Sequence, residues 1–464
     1  MDTNSTLTLG PTSGPKYRRL YEALTGAIRR GDLPEGSRLP PVRDLAWDLK
    51  ITPGTVARAY QMATDEGLLE ATVGRGTFVL GQRRGLSDVP QNTIARPAEP
   101  KFHNMRTGHT VEVGQTEAIN NLLAEIIAAK TITYSDYVRD EALKPCRNRA
   151  HDWLASHGVT GAPEDLVITT GAHNAVIVAL HSILSGRDPV ILSHRLTYPG
   201  FRQSAHLCRA RLVGIDGDDQ GPIPESLIAA CRRHNPQALL LSSNVHNPTC
   251  VTTSLKRREQ IAEIAQKYDL HIVEDDVYGT LIPKRLPGLD TLCPERVWHA
   301  TSLSKCFAAG LRVGFLQCPP GQGPLGQRVL QGMSFSLSAL LTQLVERLFA
   351  TGSVDSIGQK IRAEGRARLD IARSALGHWD ITTCDGASLL WLNMPAGWRA
   401  SAFQNSCEKQ DILLAPGDSF TLPDEPAPNA VRLSLSGSVD RARLKAGLET
   451  IDALLAGPTR EFLT

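Results

Sequence analysis

A lysine in the segment TSLSKCFAAGLRVGF, residues 301–315, has the neighbours expected of an amine that reacts with an aldehyde. Lys305 follows a β-like run and stands among small and hydroxylated residues, with Ser302 and Arg312 at spacings that suit a phosphate. A Schiff-base lysine needs such a loop, because its amine must reach a carbonyl that neighbouring groups hold in place. Taken alone, a lysine in such a segment is far more often an ordinary solvated surface residue.

Two further stretches could hold the rest of such a ligand. The segment ITTGAHNAV runs from a strand into a predicted helix at Gly171, where free backbone N–H groups would form a phosphate site. The segment VEDDVYG ends a strand with Asp275 and places Tyr278 three residues later, so a carboxylate could pair with a protonated pyridine nitrogen and a phenol with a ring oxygen. The alternatives are a plain strand–helix turn and a solvated acidic turn.

Three single residues have the same ambiguity. Asn247, in VHNPTC, offers an amide before a proline-fixed turn, although Asn-Pro also marks a bare turn. Tyr198, in LTYPGF, could stack on a planar cofactor or pack in the core. Arg432, in AVRLSLSG, places a guanidinium in an apolar strand, which requires a partner. A bidentate substrate carboxylate and a structural salt bridge are the two candidates.

A largely parallel sheet would position these residues. Continuous apolar runs alternate with helical stretches, at residues 167–169, 190–194, 211–215, 238–243, 271–275 and 297–302. This alternation predicts an α/β fold whose sheet is covered on both faces. Ligands of such sheets collect at the C-terminal ends of the strands, which is where the polar motifs fall.

The first eighty residues predict a different kind of domain. Helical patterns at 16–30, 42–50 and from Thr52 onward precede two short strands joined around Gly74-Arg75-Gly76, and this is the outline of a winged helix-turn-helix. The start of the second helix of such a motif enters the major groove. Thr52, Thr55 and Arg58 would therefore face DNA. Arg75 would lie at the tip of the wing, and Arg43 would contact a phosphate. A small helical oligomerisation domain is the alternative.

Composition limits the class of protein without deciding it. A chain of 464 residues suggests two to three domains, predicted here as a DNA-binding domain at 12–80, a linker at 81–105 and an α/β domain at 106–464. Residues 1–85 contain 12 Lys and Arg against 9 Asp and Glu, which is compatible with nucleic acid. The nine cysteines form no CxxC pair, so neither a disulfide framework nor a zinc site is expected. No apolar run predicts a signal peptide or a membrane span, and we expect a cytoplasmic protein.

The order of the motifs over residues 106–455 resembles that of the fold-type I aminotransferases, of the aspartate aminotransferase kind. This resemblance implies that pyridoxal 5′-phosphate (PLP) forms an aldimine with Lys305 and that Arg432 binds the α-carboxylate of an amino compound. It also implies that the phosphate is held by Ser302, Arg312 and the amides of Ala172 and His173. Asp275 would face the ring nitrogen, and Asn247 and Tyr278 would face the ring oxygen. Tyr198 would lie on the ring face, and Tyr137 would reach the phosphate of a partner subunit. Departures from the family pattern are Cys250 for a glycine, Ala309 for a proline and Ala142 for a glycine, and they weaken the case for efficient turnover.

The stretch RLPPVRDLA…ITPGTVARAYQMATDEGLLEATVGRGTFV is similar to the DNA-binding domain of the GntR family, with Pro53 where an arginine is common. A GntR-like head joined to an aminotransferase-like body resembles the MocR-type regulators, which implies a homodimer whose two heads bind two half-sites. The resemblance implies a transcriptional regulator that senses PLP or an amino compound through Lys305. A working aminotransferase with a passenger head, and a DNA-binding protein whose body only dimerises, are the alternatives.

Overall fold

The computed structural model describes residues 15–30, 32–33, 36–65, 68–72, 76–79, 103–335, 337–423, 425–437 and 440–457. The described residues form two compact units, a small one at 15–79 and a large one at 103–457. Among them, no helix combines the length and the apolar character that a membrane crossing requires.

The small unit consists of three helices followed by a hairpin, as the sequence predicts. Its elements are α1 (Lys16–Arg30), α2 (Val42–Asp48), α3 (Pro53–Asp65), β1 (Leu69–Thr72) and β2 (Gly76–Val79). The strands pair antiparallel, with Leu69 opposite Val79. Helix α2 ends two residues earlier than predicted, and the turn that contains Arg75 lies outside the described residues.

Periodic apolar residues explain why these helices pack together. Leu20 and Leu24 of α1 and Val56 and Ala59 of α3 are fully buried in one cluster. Helix α3 begins where predicted, since the Thr55 amide donates to the Thr52 hydroxyl at 3.4 Å, a typical N-terminal cap. One stripe of each helix therefore faces the core, and the opposite side of α3 remains exposed.

The large unit alternates helices and strands. Its helices are α4 (Gln115–Ala129), α5 (Asp140–Ser156), α6 (Ala172–Ile183), α7 (Pro199–Leu207), α8 (Pro224–His234), α9 (Leu255–Lys267), α10 (Leu289–Leu292), α11 (Leu303–Cys306), α12 (Gly323–Ser334), α13 (Ala339–Ala350), α14 (Ser353–Leu376), α15 (Ala400–Glu408) and α16 (Arg441–Ala456). Its strands are β3 (His103–Asn104), β4 (Leu166–Thr169), β5 (Val190–His194), β6 (Arg211–Ile215), β7 (Gly217–Asp218), β8 (Gly221–Pro222), β9 (Ala238–Leu241), β10 (His271–Asp275), β11 (Val297–Ser302), β12 (Gly314–Gln317), β13 (Ile381–Thr383), β14 (Leu389–Asn393), β15 (Ile412–Leu413), β16 (Ala415–Pro416) and β17 (Ala430–Ser434).

A seven-stranded sheet forms the centre of this unit, in the order β4-β12-β11-β10-β9-β5-β6. All six predicted strands are present, and the neighbours from β11 through β6 pair in parallel. Strand β12 was not predicted from the sequence, and it runs antiparallel between β4 and β11. This strand is four residues long and begins at Gly314, inside the lysine segment, so strands β11 and β12 anchor the segment at both ends.

A second, four-stranded antiparallel sheet carries the C-terminal part of the chain, in the order β13-β14-β17-β16. Helices α14 and α16 pack against each other, and their apolar residues share a cluster with those of β14 and β17. Strand β17 places Arg432 opposite Trp391 of β14 and Ala415 of β16. A buried strand of this sheet thus carries the predicted carboxylate-binding arginine.

The predicted linker ends earlier than residue 105. His103 and Asn104 form β3, which pairs in parallel with β15, and Met105 is fully buried. The backbone N–H of Met105 donates to the Leu413 carbonyl at 2.8 Å. Residues 103–105 therefore belong to the large unit, because their backbone hydrogen bonds and the burial of Met105 are provided there. The rest of the predicted linker lies outside the described residues.

Candidate functional site: a cofactor cavity and a DNA-binding face

One cavity of about 210 Å³ gathers the predicted cofactor residues at the C-terminal ends of β4, β10 and β11. Of the residues predicted for the large unit's site, all but Tyr137 line it, namely Ala172, His173, Tyr198, Asn247, Asp275, Tyr278, Ser302, Lys305, Arg312 and Arg432. Residues distant in sequence meet here because parallel strands end at one edge of the sheet.

Lys305 extends from the short helix α11 into this cavity. Its Nζ donates to the Gly108 carbonyl at 2.8 Å and lies 5.9 Å from the centre of the Tyr278 ring. Burial of the amine, together with the positive charges of Arg432 and Arg312, lowers the pKa of Lys305 to about 8, and Asp275 opposes that shift. At pH 7, about a tenth of the amine is therefore unprotonated, and this is the form that attacks an aldehyde.

Asp275 closes the strand β10 and is 9% exposed. Its Oδ1 is buried and has no hydrogen-bond partner among the described residues. Burial and the adjacent carboxylate of Asp276 raise the pKa of Asp275 to about 7, with Lys305 acting in the opposite direction. A buried carboxylate oxygen without a partner is costly, so its position in a cavity lining indicates a ligand cation or N–H.

The helix start at Gly171 and the guanidinium of Arg312 lie against each other. Gly171 has φ +92°, a backbone conformation that favours glycine, and a Cβ there would lie 2.5 Å from Arg312 Nη2. Helix α6 begins at Ala172, where backbone N–H groups lack partners within the helix. Ser302 caps α11 on the same side of the cavity. Amides, a hydroxyl and a guanidinium together form an anion site of the kind that binds phosphate.

Polar rings and an amide occupy the remaining walls. Tyr198 packs edge-on against Phe201 with ring centres 5.8 Å apart, and burial followed by the charge of Asp275 raises its pKa. Tyr278 is buried, which also raises the pKa of its phenol. Asn247 precedes Pro248 in a cis peptide and accepts a hydrogen bond from Arg432 Nη1 at 2.8 Å. The Asn247 amide nitrogen is left to donate.

Arg432 is 3% exposed, so its charge is almost completely removed from solvent. Its Nη2 donates to the Arg106 carbonyl, and its guanidinium carbon lies 4.8 Å from the centre of the Phe420 ring. Burial lowers the pKa of the group, and its Nε has no hydrogen-bond partner within the described part of the chain. The amide, carbonyl and ring that hold the guanidinium are neutral, so they do not form the structural salt bridge that was the alternative. Its charge stays available for an anionic ligand.

These residues fit PLP on observations of the cavity itself. The anion site beside Gly171 suits the phosphate, the partnerless oxygen of Asp275 suits a protonated ring nitrogen, and the amine of Lys305 suits the aldehyde. When bound, PLP supplies an electrophilic carbonyl for amines. The protein supplies the charges and hydrogen-bond donors that orient it.

A buried charge layer behind β10 was not predicted from the sequence. Strand alternation turns Glu274 and Asp276 away from Asp275, and His299 of β11 lies 3.5 Å from Glu274 Oε2 and 3.6 Å from Asp276 Oδ2. Burial opposes protonation of His299, but the two carboxylates raise its pKa overall. Arg285 contacts Asp276 at 3.2 Å. Three consecutive acidic residues at the end of a buried strand were the available signal, because buried carboxylates need cations.

The segment 106–108 was also missed as part of the site. It supplies two carbonyls, that of Gly108 to Lys305 and that of Arg106 to Arg432. A Cβ on Gly108 would lie 3.3 Å from Lys305 Nζ and 3.5 Å from the Tyr278 hydroxyl, so the backbone passes close to the reacting group. Nothing in its sequence indicated this, since the contact spans 197 residues.

Tyr137 does not line the cavity of its own chain. It is 75% exposed and stacks on Phe335, which is 76% exposed, with ring centres 5.8 Å apart. Its predicted role in a partner subunit stays a prediction. Cys250 occupies the place of the family glycine and adopts φ +64°, so the left-handed backbone that favours glycine is retained.

In the small unit, four of the five predicted DNA-contact residues can be placed. Arg43 is exposed on α2, and Thr52 and Arg58 are exposed at and beyond the start of α3, while Thr55 is half-buried. The hydroxyls of Thr52 and Thr55 lie 2.9 Å apart, and the Arg58 guanidinium stacks 4.0 Å above the Tyr17 ring. Their contact with DNA stays a prediction, and Arg75 lies outside the described residues.

Comparison with known families assigns each unit separately. Residues 108–451 match the family described as aminotransferase class I and II. Residues 16–79 match the family described as bacterial regulatory proteins, gntR family.

Full-length relatives carry the same two parts in one chain. An uncharacterized HTH-type transcriptional regulator of Bacillus subtilis, YdeF, is 26% identical over 459 residues, covering 96% of both chains. The HTH-type pyridoxine biosynthesis transcriptional regulator PdxR of Corynebacterium glutamicum is 23% identical, covering 79% of this chain and 80% of its own. Among solved structures, the α-aminoadipate aminotransferase LysN of Thermus thermophilus superimposes with a TM-score of 0.69 at 24% identity, covering 77% of this chain and 93% of LysN.

Proposed function

Because this chain belongs to the aminotransferase class I and II family and also carries a gntR-family unit, we propose that it is a PLP-dependent transcriptional regulator. The observation that carries the proposal is the presence, in one chain, of a cavity that fits PLP and a winged helix-turn-helix with an exposed recognition helix. Relatives named as HTH-type regulators match nearly the whole chain, which supports the same function.

The large unit would bind PLP and an amine in the same cavity. Lys305 would hold the cofactor, Asp275 would pair with its ring nitrogen, and Ser302, Arg312 and the start of α6 would hold its phosphate, since all of them line this cavity. Arg432 binds a carboxylate on the incoming amino compound, because its charge is buried and its hydrogen bonds go to neutral groups. PLP itself or such an amino compound would be the effector, and the name of PdxR connects a relative to pyridoxine biosynthesis.

The small unit would bind double-stranded operator DNA as part of a homodimer. A two-fold dimer presents two recognition helices to two half-sites. Exposed aromatic side chains support an interface on the large unit, since Tyr137 and Phe335 form a stacked pair at its surface. An effector changes DNA affinity only to the extent that it binds two conformations differently. A regulator of this kind acts in the cytoplasm.

A catalytically active aminotransferase with a DNA-binding head is the second candidate. The lining of the cavity supports it, because it offers a residue for the phosphate, the ring nitrogen, the ring oxygen and the aldehyde of PLP. The fold of LysN is also shared over most of both chains. Fold alone does not decide between the two functions.

The deciding experiment combines a spectrum with a binding measurement on the full chain. Visible absorbance with PLP is recorded for the wild type, Lys305→Ala and the control Lys409→Ala, which removes an exposed lysine of the same unit. DNA binding to a duplex from its own upstream region is measured with and without PLP and amines.

A visible band that is lost only in Lys305→Ala, with DNA affinity that responds to PLP or an amine, supports the regulator. Turnover with a keto acid at about 1 per second or faster, without DNA binding, would make the protein an enzyme. A colourless protein that takes up no PLP would leave the large unit as a dimerisation scaffold.

A further inference from the structure

The small unit exposes a large aromatic ring beside its recognition helix. Trp47 of α2 is 84% exposed, and it is the only one of the six tryptophans that lies before residue 153. Four of the other five are buried. Tryptophan has the largest apolar area of any side chain, so an almost fully exposed one indicates a surface that another molecule covers.

The surroundings of Trp47 connect it to the DNA-facing elements. It lines one shallow cleft with Arg43, Ala46, Lys50, Ile51 and Pro53. Arg43 lies in the first turn of α2, and Pro53 is the first residue of α3. The ring therefore lies between Arg43 and the start of α3, the two places at which the helix-turn-helix is expected to contact a duplex.

The charges around the ring favour an anionic partner. At 100° per residue, Arg43 and Trp47 lie within about 40° of each other on α2, whereas Asp44 and Asp48 fall on the neighbouring flank. Lys50 follows the helix with φ +50° and lines the same cleft. Two cations thus flank the ring, and the acidic residues of α2 lie to one side.

We propose that Trp47, flanked by Arg43 and Lys50, forms a binding surface for the sugar-phosphate backbone of duplex DNA next to the groove that α3 enters. This inference rests on the proposed function, because it assumes that α3 binds DNA. The indole ring covers the apolar edge of a deoxyribose, its Nε1–H donates to a phosphate oxygen, and the two cations neutralise adjacent phosphates. Contacts of this type position the protein and carry no sequence information.

The start of α3 offers no cation at Pro53. Proline at position 53 provides neither a charge nor a backbone donor. Trp47 and Lys50 border Pro53 in the same cleft, so they would supply the contacts to the DNA backbone at that place. Truncation of a well-packed aromatic anchor at an interface costs at least about tenfold in affinity.

The test uses the full chain and two duplexes, one from its own upstream region and one of mixed sequence. Dissociation constants are measured for the wild type, Trp47→Ala, Trp47→Phe and the control Lys409→Ala. Tryptophan emission and its quenching by acrylamide are followed in the wild type and Trp47→Phe, so that their difference isolates the exposed ring. Because Trp47 is exposed, its replacement leaves the melting temperature nearly unchanged.

We expect Trp47→Ala to lower the affinity for both duplexes by the same factor, about tenfold. The slope of log K against log salt should not change, and Trp47→Phe should lose less affinity. DNA should shield the Trp47 emission from acrylamide. Equal affinity of Trp47→Ala and wild type, with unshielded emission, overturns this inference and leaves the proposed regulator intact. A Trp47 that is shielded before DNA is added lies under a protein surface, which also overturns it. A wild type that binds neither duplex overturns both proposals.

Discussion

Arg432 and Arg43 have the same side chain and opposite environments. In the large unit, Arg432 is 3% exposed and its position is determined by an amide, a carbonyl and an aromatic ring. In the small unit, Arg43 is exposed at the edge of a shallow cleft. The buried guanidinium is oriented before any ligand arrives, whereas the exposed one can adapt to a flexible partner.

This difference corresponds to two kinds of recognition. A desolvated cavity strengthens each charge contact and selects small ligands by the positions of their polar groups. An exposed cationic surface binds a polyanion largely through the release of counterions, with an affinity that depends steeply on salt. The chain therefore combines a selective site for a small molecule with a tolerant site for a polymer.

Removal of the buried charge of Arg432 should have the largest effect on ligand affinity. We expect Arg432→Ala to weaken an amino-carboxylate effector by roughly tenfold to a hundredfold, because charge-assisted hydrogen bonds are lost. PLP uptake should persist, since Lys305, Asp275 and the anion site remain. Spectral titration of the PLP-loaded protein measures both. An unchanged affinity would show that another group binds the carboxylate, and an amine without a carboxylate is the matched control ligand.

The acidity of the cavity groups predicts a pH dependence of PLP uptake. Lys305 attacks only as the free amine, and its pKa is lowered to about 8. Uptake should therefore accelerate by up to about tenfold per pH unit below 8 and level off above it. Stopped-flow absorbance of the PLP-free protein provides the rates. A rate that keeps rising to about pH 10 would contradict a lowered pKa, and DNA affinity should not follow the same curve.

The charge layer behind β10 should affect PLP indirectly. Asp276 raises the pKa of Asp275, and the positive charge of His299 lowers it. The His299→Gln variant removes that positive charge, so the pKa of Asp275 rises further above its usual range. A neutral Asp275 cannot pair with a protonated ring nitrogen, and PLP affinity should fall about tenfold at neutral pH. The defect should shrink as the pH is raised, because Asp275 then ionises.

Equilibrium dialysis across a pH series checks this, with His271→Gln at the opposite end of β10 as the control. A defect of equal size at every pH would assign His299 a purely structural role.

Removal of the Arg43 charge should have the smallest effect, and it should change DNA binding and leave PLP binding unchanged. We expect Arg43→Ala to weaken any duplex a few-fold and to lower the slope of log K against log salt by about one, because one phosphate contact is lost. PLP binding should not change. Fluorescence anisotropy over a salt series measures the slope. An unchanged slope would remove Arg43 from the DNA contacts, and raised salt should leave the buried cavity of the wild type unaffected.

Local patterns were sufficient for most elements and for most of the cavity. In α1, the apolar residues Leu20, Leu24, Ala27 and Ile28 recur at helical spacing and are buried, and all six apolar runs form strands of one sheet. Strand β12 was missed because it is four residues long and begins inside the lysine segment. Residues 103–105 were placed in a linker because the pairing of β3 with β15 joins segments far apart in the chain.

The amino-acid sequence by itself predicted which residues line the cofactor cavity, because Lys305, Asp275, Arg312 and Arg432 stand in motifs whose types and order are specific. Only the tertiary structure decided the charge environment of each residue. The cavity lowers the pKa of Lys305, raises that of Asp275 and surrounds Arg432 with neutral hydrogen-bond partners, through burial and through neighbours distant in sequence. Charge environments arise from chain segments that meet only in the folded protein. Motifs therefore identify the chemistry, and packing sets its strength.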